Sequence, residues 1–77
     1  MAKITLRIIG LPMTQDALEE SSIDARNMRD VIRQIEYRYP RDYYTYIILL
    51  NGARIEDESL DLREGDQVVV VPVMSGG

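Results

Sequence analysis

The sequence predicts a two-layer α+β domain, one main helix packed on one face of a mixed sheet of four to five strands. Three observations predict it: an alternating strand opens the chain, a single apolar stripe at helical spacing occupies its middle, and four consecutive valines lead toward its end. The 77 residues are enough for one small domain. Its core must be efficient, because a chain of this size buries only about 60–65% of its unfolded surface.

In "KITLRII", Ile4, Leu6 and Ile8 share one face and Lys3, Thr5 and Arg7 the other, the pattern of a half-buried strand. Gly10 and Pro12 supply a turn. "ALEESSI" is a weaker second strand, with Leu18 and Ile23 its inward residues. A helix over about 28–39 follows, capped by Asn27, with Asp30 in its first turn and Met28, Val31, Ile32, Ile35 and Tyr39 as its apolar stripe. Pro40 stops it, and Arg38 and Arg41 set positive charge at its negative end. "YIILLNGARI" reads as a hairpin, since Asn51-Gly52 can take the positive φ that a tight type I′ turn needs. Leu60 and Leu62 plug the core from a connecting segment, and Gly65-Asp66 turns the chain into "QVVVVPVM". That valine run predicts a central strand covered on both faces, with pairing weakened at Pro72, which has no N–H. A parallel pairing of first and last strands, through a crossover that includes the helix, completes the simplest arrangement.

Composition excludes several kinds of function. There is no cysteine and no histidine, which removes disulfides, thiolate metal sites and the commonest general base and metal ligand. A self-sufficient enzyme is not expected. The net charge of −4 argues against a nucleic-acid binder and suits docking on basic partners. Arg7 breaks the only early apolar stretch, so no signal peptide is expected, and no apolar run nears the roughly 20 residues that span a bilayer. A cytoplasmic location is the expectation, with no membrane partner.

The chain ends in Gly76-Gly77. Two glycines at one fixed end arise by chance about once in 200 sequences, so the pair gains weight only from its setting. Taken with Leu50, Asn51 and Gly52 of the hairpin and the run "LREGDQVVVVP", it makes the whole chain resemble the ubiquitin-like sulfur carriers of the β-grasp fold. These include the small subunit of molybdopterin synthase and the thiamine-pathway carrier. Chain length and the proline before the glycines look more like the former. That subunit commonly ends Pro-Pro-Val-(Ser/Thr/Ala)-Gly-Gly, whereas Val73 stands here at the second proline and Met74 at the valine.

The resemblance implies a β-grasp domain over 1–74 and a reactive tail over 75–77. It implies that the Gly77 carboxylate is adenylated by a ubiquitin-activating-type adenylyltransferase, which uses ATP and magnesium, and becomes a thiocarboxylate. The sulfur would come from a donor such as a cysteine desulfurase or a rhodanese-like protein. It would pass, most simply, to a molybdopterin precursor on a larger synthase subunit. No cofactor is then bound by the chain itself. Ser75 and Gly76 would thread into the partner, and Val71, Val73 and Met74 would meet it. Glycine allows a close approach in a narrow site. Alternatives are a ubiquitin-like modifier joined through Gly77 to lysines, a carrier for thiamine or tRNA thiolation, and a plain interaction module. A single lysine, Lys3, argues mildly against a polymerising modifier.

Two other clusters take structural readings. The five tyrosines between Tyr37 and Tyr46 are expected to seal the helix end against the hairpin, in preference to stacking on bases, although some of them could also help dock a partner. Glu56, Asp57 and Glu58, with Asp61, Glu64 and Asp66, match no calcium-loop spacing and read as a solvated acidic surface.

Overall fold

In the computed structural model, residues 2–9 and 18–74 are described. Strand β1 (Ala2–Ile9) buries Ile4, Leu6 and Ile8 and leaves Lys3, Arg7 and Ile9 exposed. Strand β2 (Leu18–Ala25) runs antiparallel to it in unbroken register, from Ala2 opposite Ala25 to Ile9 opposite Leu18. It extends two residues past the expected segment, because pairing with β1 overrides the poor strand propensity of its Glu, Ser and Asp. Ile23 packs against the core as expected, and Ala25, which the pattern did not single out, is fully buried. The side chain of Leu18 and the turn at Gly10 and Pro12 lie outside the described residues.

Helix α1 (Met28–Glu36) starts where Asn27 predicts. The Asn27 side-chain oxygen accepts from the Asp30 N–H at 3.1 Å, and the Asp30 carboxylate accepts from the Arg26 N–H at 2.9 Å. The cap thus satisfies one first-turn donor of the helix, and Asp30 in turn holds the N–H of the residue before the cap. Met28, Val31, Ile32 and Ile35 are buried against the sheet. The helix ends at Glu36, three residues before the expected 39. Tyr39 precedes Pro40, which disfavours helical backbone there. The Arg38 and Tyr39 N–H groups both close on the Ile35 carbonyl at 3.0 Å, and the chain then turns toward the sheet.

Strands β3 (Tyr44–Leu50) and β4 (Ala53–Ile55) form the hairpin, with φ of 50° at Asn51 and 88° at Gly52. Strand β5 (Gln67–Met74) completes a five-stranded sheet of order β2-β1-β5-β3-β4, parallel to β1 and antiparallel to β3. This is the β-grasp architecture. Leu62 is buried and Leu60 packs beside it, as expected. Their segment is laced to the helix start by Met28 N–H to Leu60 O at 3.0 Å and Leu62 N–H to Arg26 O at 2.9 Å.

Strand β5 is central, but it is not covered on both faces. Val68 and Val70 are fully buried beneath α1, whereas Val69 and Val71 are half-buried and Val73 is exposed on the opposite, open face. One helix can cover only one side of the sheet. Pro72 also acts differently on its two neighbours. The Asn51 N–H donates to the Gln67 carbonyl at 2.8 Å. Counting on from that bonded pair, Val69, Val71 and Val73 face β3, and position 72 faces β1. The parallel ladder to β1 ends at Ile8 opposite Val70, while the β3 ladder continues past Pro72 to Met74. The missing N–H therefore costs nothing on the paired side.

Asn51 and Asp66 are brought together. The Asn51 side chain accepts from the Gln67 N–H at 2.9 Å and donates to Asp66 at 3.0 Å, and Asp66 also accepts from the Arg63 N–H at 2.8 Å. The "LNG" and "GD" residues thus lock the hairpin to the turn before β5. The Arg63 N–H, and then the Asn51 amide, hold the Asp66 carboxyl below its ordinary range. A depressed folded pKa gives stability that is present above the unfolded value and lost as pH falls through the folded one. Urea unfolding followed between about pH 6 and pH 3 should show less loss of stability on acidification in Asp66→Asn than in the parent. An unchanged slope would remove the lock from the account.

Candidate functional site

The site expected from the sequence lies at the end of the sheet where β5 finishes. Met74 lies opposite Tyr44, Val73 opposite Thr45 and Val71 opposite Ile47, so β3 holds the strand to its last described residue. Met74 is 57% exposed and Val73 41% exposed. Ser75, Gly76 and Gly77, the expected tail, lie outside the described residues. What is described is the end of β5 that precedes them.

Strand registry divides the open face into two halves. Glu20, Arg7, Val69, Leu49 and Arg54 form one row across it, with Ser22, Thr5, Gln67 and Asn51 toward one end. Toward the other end come Val71 beside Ile47, and Val73 beside Thr45, with Ile9 exposed on the same face of β1. The apolar half is therefore the half next to the end of β5. Arg7 is engaged by Glu20 at 2.6 Å.

The tyrosine segment lies at the same end. Tyr39 and Tyr44 meet edge to face at 5.2 Å, and the Tyr46 hydroxyl donates to the Tyr39 carbonyl. Burial, with Glu36 adding to it, raises the Tyr46 pKa, which keeps that hydroxyl a donor. Arg41 lies 5.2 Å over the Tyr46 ring and pairs with both Glu36 and Glu58. Three tyrosines thus make the expected seal. Tyr37 does not, being 93% exposed.

Part of the acidic cluster is engaged by hydrogen bonds. Asp57 accepts from the Ser59 hydroxyl at 2.6 Å and the Ser59 N–H at 2.9 Å, and Glu64 accepts from the Lys3 N–H at 2.9 Å. Among the described residues, no three acidic side chains come together as metal ligands. A hollow of about 630 Å³ lined by Ala2, Arg26, Asp61, Leu62, Arg63 and Glu64 lies at the far end of the sheet from Met74. No helix among the described residues is long and apolar enough to cross a membrane.

Family comparison decides the wider relationship. The profile of the ThiS family matches residues 6–77, nearly the whole chain. The chain belongs to the ThiS family, among the ubiquitin-like sulfur carriers. No curated protein matches it in sequence. Solved structures agree with the fold. A chain from a complex of subunits 1 and 2 of molybdopterin-converting factor from Helicobacter pylori is 17% identical, with a TM-score of 0.62, over 95% of this chain and 99% of that one. Small archaeal modifier protein 1 from Methanosarcina acetivorans is 18% identical, with a TM-score of 0.68, over 100% and 98%. A ubiquitin from Caldiarchaeum subterraneum is 16% identical, with a TM-score of 0.57, over 99% and 100%.

In this ThiS-family chain, Val71, Val73 and Met74 lie at the end of the sheet where β5 finishes, Val71 half-buried and the other two exposed. Ile9, Ile47, Leu49 and Val69 belong to the same patch but were not among the expected residues. Their signal was present in "YIILL" and "VVVV", where both alternate sets are apolar although only one can face the helix.

Proposed function

We propose that this chain is a non-catalytic sulfur carrier whose Gly77 carboxylate is activated and thiolated by partner proteins. The observation that carries the reading is the family match through residue 77, with the apolar half of the open face set beside the end of β5. The chemistry follows from the poor reactivity of a carboxylate. A carboxylate oxygen attacks the α-phosphorus of ATP, held with magnesium by the activating adenylyltransferase, and pyrophosphate leaves. A persulfide sulfur from the donor protein then displaces AMP, and a second thiol reduces the acyl disulfide to the thiocarboxylate. Ser75 and Gly76 thread the tail into each partner, and Val71, Val73 and Met74 dock beside it. The chain itself needs no cofactor.

The Helicobacter pylori neighbour supports a larger synthase subunit as the acceptor and molybdopterin formation as the pathway. The action is cytoplasmic in this reading. Incubation with an activating enzyme, ATP and a sulfur donor should replace one oxygen by sulfur at Gly77, read by intact mass. Covalent adducts on lysines of other proteins would instead favour the modifier reading. Val73→Glu, on the exposed open face, should keep the fold and weaken docking to the acceptor by about tenfold or more, some 1.4 kcal/mol.

A further inference from the structure

Among the described residues, the open sheet face is one surface on which no other element packs. The outer side of α1, turned away from the sheet, is another. Residues 26–41 hold five of the chain's eight arginines against two acids, although the whole chain is acidic. Both acids are engaged: Asp30 accepts from the Arg26 N–H, and Glu36 pairs with Arg41 at 3.5 Å. Arg41 is itself held by Glu58 and the Tyr46 ring. Arg29, Arg33 and Tyr37 remain on the exposed side. They are spaced four residues apart, about 6 Å per step along one helix face.

Tyr37 contributes almost nothing to the core at 93% exposure, yet it flanks a groove of about 410 Å³ with Arg33 and Glu36. Among the described residues, the Arg33 side chain has no hydrogen bond or ion pair. Arg29 is near enough to Asp57 for the two charges to interact, but Ser59 already occupies that carboxylate. An exposed aromatic beside two arginines is the composition of a protein contact. The chain's net charge of −4 works against the long, continuous charge of a nucleic-acid backbone more than against a short acidic segment.

We propose that the Arg29–Arg33–Tyr37 face of α1 docks an acidic segment of a partner protein, through carboxylates about 6 Å apart. That spacing is met by alternate residues of a strand or by residues four apart on a helix. Charge complementarity selects the partner, and Tyr37 supplies the apolar anchor. This surface is separate from the open sheet face and independent of the chemistry at Gly77.

The test is titration of the ¹⁵N-labelled full chain with a peptide carrying Glu at alternate positions, and separately with a single-stranded RNA. Saturable shifts are expected at Arg29, Arg33 and Tyr37, weakening steeply with salt. Arg29→Glu with Arg33→Glu should weaken binding at least about tenfold, and Tyr37→Ala or Arg33→Gln less, at unchanged melting temperature. Arg54→Glu, on the opposite face, and removal of residues 75–77 should leave it unchanged. Equal loss with Arg54→Glu, shifts without saturation, or tighter binding of the RNA than of the peptide would each overturn the proposal.

Discussion

Deletion of Gly76 and Gly77 is expected to abolish sulfur loading completely while leaving the melting temperature within about a degree of the parent. The described core lies between Ile4 and Val70, and the β3–β5 pairing is described as far as Met74, so neither includes the deleted residues. Chain termini outside a packed core contribute little to stability. The truncated chain would present a carboxylate on Ser75, two residues short of the activating site and without the glycine backbone that a narrow site demands. Intact-mass measurement after incubation with activating enzyme, ATP and sulfur donor reads the loss directly. Comparison with Val73→Glu separates the two parts of the proposal. The truncation should fail at loading with docking intact, and the substitution should dock poorly with its terminus unaltered. Loading of the truncated chain at the parent rate would end the carrier reading.

Ile35→Ala should cost about 3–4 kcal/mol, the second large effect. Ile35 is fully buried in the helix stripe against the sheet, among Met28, Val31, Ile32 and the inward residues of β1 and β5. Truncating an aliphatic side chain in such a setting loses transfer energy and leaves a cavity, together about 2–5 kcal/mol. A domain of 77 residues has only about 4–12 kcal/mol to lose. The variant should therefore unfold at a much lower urea concentration with an unchanged slope, as followed by far-UV circular dichroism. A loss below about 1 kcal/mol would mean that α1 does not seat on the sheet as described.

Much of this fold is legible along the chain because its signals are local. Asn27 and Asp30 mark the helix start through hydrogen bonds spanning only a few residues, and both bonds form. Asn51-Gly52 and Gly65 take the positive φ their turns require, at 50°, 88° and 87°. The inward faces of β1 and α1 follow from periodicity alone, since one buried side imposes a fixed spacing. Ala25 escapes that logic because a small side chain carries little pattern, and it is buried by its place opposite Ala2. The helix end at Glu36 escapes it as well: the turn at residues 37–39 carries Tyr39 toward Tyr44 and Tyr46.

By itself, then, the sequence determined the start of the helix, the turns at Asn51-Gly52 and Gly65, the inward residues of β1 and α1, and the glycine pair at its end, all properties of neighbouring residues. The tertiary structure decided which valines stay uncovered, because one helix reaches only one face of the sheet. It decided that Pro72 releases β1 but not β3, through the alternation of backbone bonds across the central strand. It also gathered Ile9, Ile47, Val71 and Val73 at the end of the sheet where β5 finishes, a grouping set by strand registry between segments far apart in the chain.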